Sequence, residues 1–143
     1  MIVALVFWLF LLGAMAISWQ AGDRRDRLMV AAMILASVLT IAARQTFAYP
    51  ASVIPVNLIN TAMLVYALHY ALKGRRYWPL WFVGVHGAGT LTGWTTILLD
   101  DAQHAWLLDM ISGFWAIPSI VVMVWGLLLD QRAGVTNDPN ARA

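Results

Sequence analysis

The chain has 143 residues, of which 62% are hydrophobic and 11% charged, against about 25% charged in an ordinary soluble domain. A water-soluble fold of this size has nowhere to hide so much apolar surface, and the lack of cysteine excludes disulfides, thiolate metal sites and covalent c-type haem. The net charge is +2, but the basic residues sit in short connections between apolar runs, where they act as topology determinants and not as a nucleic-acid surface.

A lipid-crossing helix needs roughly 20 apolar residues, because it rises about 1.5 Å per residue through a hydrocarbon layer about 30 Å thick. Five runs approach that length and predict an all-α integral membrane protein, a bundle with spans at about Ile2–Trp19, Leu28–Ala43, Val53–Leu72, Trp78–Leu98 and Met110–Leu129. Residues 1–132 then form a single transmembrane domain, followed by a polar tail, 133–143, that contains Pro139. The first run holds Ala14-Met15-Ala16, which resembles a signal-peptidase site, yet no basic region precedes it. Cleavage there would also leave Arg24, Arg25 and Arg27 at the start of a translocated segment, so the first helix is expected to stay.

Cytoplasmic connections retain Lys and Arg. The first connection carries Arg24, Arg25 and Arg27, the third Lys73, Arg75 and Arg76, and the tail Arg132 and Arg142, leaving only Arg44 of the nine on the opposite side. The N-terminus is therefore expected outside and the C-terminus in the cytoplasm, in a membrane such as the bacterial inner membrane. Aromatic rings prefer the two interfaces, which places Trp19, Tyr77, Trp78 and Trp81 at the inner level and Tyr49 and Trp106 at the outer one.

Along the third run, Asn57, Asn60 and Thr61 need hydrogen-bond partners across helices, since lipid offers none. The fourth run places His86, Gly89, Gly93, Thr96 and Asp100 on one helical face. Gly89 and Gly93 form a small-xxx-small pattern that lets two backbones approach closely, while His86 at this depth is either a ligand or proton-relay group or a neutral imidazole bonded to a neighbour. A haem held by His69 and His86 requires a helix tilt, because the two differ in depth by about 6 Å. In the fourth connection Asp100, Asp101 and His104 have spacings that put carboxylate beside imidazole, so a divalent metal site or a solvated acidic loop both fit. Asp109 is either interfacial or part of a longer helix that begins near His104. Pro118 should kink the fifth span and free a carbonyl near Phe114.

In length, helix number and tryptophan content the chain is similar to the tryptophan-rich sensory (translocator) protein family, which would imply hydrophobic-ligand binding. Trp115-Ala-Ile-Pro118 is only a fragment of that family's loop motifs, and no residue carries over. The leading expectation is binding or transport of a small molecule or ion at a site between the third, fourth and fifth spans, in a homo-oligomer or beside partner membrane subunits. The alternative is a non-catalytic accessory subunit that packs through Ala14/Ser18 and Gly89/Gly93. Haem- or metal-based electron transfer and lipid-headgroup chemistry at Asp100, Asp101 and His104 rank below these.

Overall fold

The computed structural model describes residues 2–74, 76–98 and 102–135, with the backbone alone at 2–4, 21, 102 and 103. The described chain is helical throughout: α1 (Ile2–Ala21), α2 (Arg24–Thr46), α3 (Val53–Lys73), α4 (Trp78–Thr95) with a 3-10 turn at Thr96–Leu98, α5 (Ala102–Phe114) and α6 (Ala116–Arg132). Among the described residues, three helical stretches are long and apolar enough to cross a membrane, namely Arg24–Thr46, Val53–Lys73 and His104–Arg132, and Leu5–Gln20 is a shorter apolar one.

Local chemistry sets the boundaries. Asp23 caps α2 by accepting from the main-chain N–H groups of Arg25 and Asp26 at 2.9 and 3.1 Å, and the Asp26 carboxylate accepts from the Asp23 N–H at 2.8 Å. This reciprocal capping box starts the helix at Arg24, four residues ahead of the expected Leu28. Pro79 sits in the first turn of α4, where a missing N–H costs little. The expected disturbance at Pro118 takes the form of a turn at Trp115 that separates α5 from α6. Proline cannot donate to the carbonyl of Phe114, four residues back. Helix resumes as Ser119 donates both its N–H and its hydroxyl to the Trp115 carbonyl, at 3.2 and 2.9 Å. Asp109 lies inside α5, which begins at Ala102, so the longer-helix alternative holds.

The helices close a ring: α1 packs on α2 and α6, α2 on α3, α3 on α4, and α4 on both α5 and α6. Its core joins Leu11 and Ala14 of α1, Met29, Val30 and Met33 of α2, Met63 and Ala67 of α3, Trp78 and Phe82 of α4, and Ile120, Met123 and Leu127 of α6. Unbranched, flexible methionines adapt to the gaps left between packed helices. The outward faces carry leucine and aromatic side chains, among them Leu5, Leu12, Leu35, Val65, Leu91 and Trp125. Such an apolar exterior is what a bilayer solvates and water does not.

Glycine decides two of the closest approaches. A Cβ at Gly93 would overlap the Asn57 side chain, and one at Gly126 would overlap Trp78. The predicted packing glycine Gly89 lies against Trp115, 2.7 Å from where its Cβ would stand. Ala14 and Ser18 are fully buried. The small-residue faces expected to meet a partner subunit therefore pack within the chain.

Candidate functional site

The polar residues singled out in the third and fourth spans meet, and they meet as a helix-to-helix seam. Asn57 donates from Nδ2 to the Gly93 carbonyl at 2.8 Å, and Thr96 donates to the same carbonyl at 2.6 Å. Trp94 donates from Nε1 to Thr61 Oγ1 at 2.9 Å, and Thr61 in turn donates to the Asn57 carbonyl at 2.7 Å. His86 Nε2 stands 3.2 Å from the Asn60 carbonyl, and its ring stacks on Phe82 with centroids 5.4 Å apart. A carbonyl can only accept, so this contact fixes the proton on Nε2. His69 is exposed on α3, nine residues beyond Asn60 and thus roughly 13 Å along the helix, too far for the two imidazoles to share an iron. Asn57, Trp94 and His86 thus bond across α3 and α4, while Thr61 and Thr96 also donate to carbonyls of their own helices.

Asp100 and Asp101 lie outside the described residues, and His104 is exposed near the start of α5. Among the described residues no three metal-ligating side chains gather. Asp109, left open by the sequence, is 8% exposed and takes a bidentate pair from Arg44 at 2.8 and 2.9 Å. The lone arginine of the second connection thus joins the end of α2 to α5.

The densest buried chemistry lies at the opposite end, among residues read from sequence only as topology markers or not at all. Arg76, whose side chain is 2% exposed, faces Asp26 at 3.3 Å, Asp130 at 3.5 Å and Asp23 at 4.0 Å. Asp26 is fully buried and also accepts a short hydrogen bond from the Tyr70 hydroxyl. One arginine in the α3–α4 connection therefore ties the start of α2, the end of α3 and the end of α6. A signal for this existed: Asp23 and Asp26 interrupt a basic connection, and Asp130 closes the last apolar run, on the side where Arg76 was already expected.

The tie is incomplete. Nη1 of Arg76 and Oδ2 of Asp130 face each other as an ion pair at 3.5 Å without hydrogen-bond geometry, whereas Nε of Arg76 and Nε1 of Trp78 are buried without a hydrogen-bond partner, a condition that costs about 1–3 kcal/mol per group. Arg76 lines a cavity of about 270 Å³ together with Gln20, Gly22, Asp23 and Gln131. Asp130 closes the end of a groove of about 420 Å³ between α4 and α6, walled by Tyr77, Trp81, Val121, Trp125 and Leu129. The Arg76–Asp130 ion pair thus stands where a polar cavity adjoins an aromatic groove. Trp78, expected at an interface, is 3% exposed behind that groove, whereas Tyr77 and Trp81 are 77% and 71% exposed.

No protein family, no curated protein and no solved structure matches the chain. Fold and site together describe a helical protein with candidate membrane-spanning helices and a buried ionic knot at one end.

Proposed function

We propose that the chain is a five-crossing protein of a bacterial inner membrane, N-terminus outside and C-terminus in the cytoplasm, that binds a small amphiphilic molecule at the Arg76–Asp130 junction. The topology is supported by the ends that gather there. The start of α2, the end of α3, the connection into α4 and the end of α6 share one ionic cluster, as alternating crossings require. Eight of the nine basic residues belong to that side, which the positive-inside rule assigns to the cytoplasm.

The observation that carries the ligand reading is the buried Arg76 guanidinium on a cavity wall, with its Nε left without a hydrogen-bond partner. A membrane-buried cation that keeps an unsatisfied donor is costly unless something completes it. The polar cavity suits a head and the adjoining aromatic groove an apolar tail. This moves the small-molecule site from the His86 face to the inner ends of α2, α3, α4 and α6. The test is native mass spectrometry of detergent-purified protein with a single-chain phospholipid as probe. Wild type retains the adduct, while Arg76→Met and the groove-filling Val121→Trp lose it; adducts undiminished in both variants overturn the reading.

A second reading, an accessory subunit, has one observation in its favour. Tyr77, Trp81, Trp125 and Leu129 are exposed along the same groove, which a partner's helix would cover. Gentle purification followed by native mass spectrometry separates the two, because a partner chain and a lipid differ in mass.

A further inference from the structure

The helix ring is held by packing at one end and by a single ion pair at the other. Near the Arg76 cluster α1 packs along α6, and α2 is linked to α6 through Asp26, Arg76 and Asp130. Ahead of the turn at Trp115, α5 packs on α4 and on the 3-10 turn, with no comparable packing onto α1 or α2 among the described residues. Arg44, in the last turn of α2, spans that notch by donating from Nη1 and Nη2 to the two Asp109 carboxylate oxygens at 2.8 and 2.9 Å.

We infer that α5 is a hinged gate, latched shut by Arg44 and Asp109 at the end of the bundle opposite the Arg76 cluster. Its pivot is built into the chain. Trp115 interrupts the helix and Pro118 has no N–H to return to the Phe114 carbonyl, so the hydrogen-bond ladder that would make α5 and α6 one rigid rod is broken there. Beside this pivot α5 meets α4 closely, where Trp115 and the Ser112 carbonyl face Gly89. Asp109 stands well over a turn before it, where a small rotation already parts the ion pair. The latch is also the weaker of the two ionic ties. The Arg44 side chain is 40% exposed against 2% for Arg76, and a partly exposed pair holds less firmly than an enclosed one loses by being broken. Releasing it frees α5 to roll outward on α4 and opens the bundle between α5 and α2, while the Arg76 end, whatever occupies it, stays closed. Opening at one end alone admits a molecule from one side of the bundle at a time.

Double electron–electron resonance on the purified protein tests the gate. The native chain has no cysteine, so nitroxides at Gln45→Cys and Leu107→Cys, both exposed, report the gap between α2 and α5. A second pair at Ala16→Cys and Leu129→Cys, also exposed, reports the α1–α6 contact. With the latch intact the first pair should give one narrow distance. Asp109→Leu should add a population at least about 5 Å longer, a modest rotation for an arm of about 20 Å, while the second pair keeps its distance. The exchanged pair Arg44→Asp/Asp109→Arg should restore the single distance. Arg44→Gln, at the exposed partner, gives the same comparison if Asp109→Leu does not fold. An unchanged α2–α5 distance in these latch variants overturns the gate. Widening of both label pairs, which is general loosening, overturns it as well, and so does an exchanged pair that stays wide.

Discussion

Asp26 and Tyr70 show how much one buried contact can fix. The carboxylate is enclosed completely and holds three different groups: the Tyr70 hydroxyl, the Asp23 main-chain N–H and the Arg76 guanidinium. Hydrogen bonds to charged groups contribute about 1.5–3 kcal/mol, so Tyr70→Phe should lower unfolding stability by that amount. Arg76→Met should cost more, about 3–5 kcal/mol, because it strands Asp26 and Asp130 without their cation. Denaturation of the purified protein in mixed micelles reads both values. The double variant Tyr70→Phe/Asp26→Asn should fall short of the sum of its single changes, since both remove the same bond. His86 Nε2 meets the Asn60 carbonyl of the next helix, and its depth in the sequence signalled that it would need a partner without saying which.

At the scale of helices, closeness is set by the residues that lack side chains. Gly126→Val drives a branched side chain into Trp78, so α4 and α6 must separate, at a cost of about 1–3 kcal/mol. Gly13, in α1, has nothing within 4 Å of where its Cβ would lie. Gly13→Ala should therefore be neutral or stabilising by up to about 1 kcal/mol through helix propensity, and thermal unfolding of the two variants side by side makes the comparison. The apolar runs gave the helices away because their composition and length belong to the chain alone. The Gly89/Gly93 spacing likewise announced a tight face. Gly126 stood in an unmarked run, and only the approach of Trp78 from another helix gives it meaning. The same limit hid Arg76 and Asp130: each looked like an end marker, and their pairing depends on how non-neighbouring helices are arranged. The capping residues Asp23 and Asp26, by contrast, were readable, since their spacing is local.

For the whole molecule, the absence of native cysteine makes single-cysteine labelling in intact cells direct. With a membrane-impermeant thiol reagent, Gln103→Cys should react and Gly74→Cys should not, unless the cells are opened. The reverse pattern would invert the bundle and move the ionic cluster to the outer face. Ring closure has a further consequence for assembly during synthesis. Asp26 precedes Arg76 in the chain, but Asp130 follows it by 54 residues, since 130 − 76 = 54, which at ordinary translation speed is a delay of about 3–11 s. During that interval α1 also waits for α6, its neighbour in the finished ring. Until α6 emerges the nascent protein is thus an open crescent, whose clasp is fastened last.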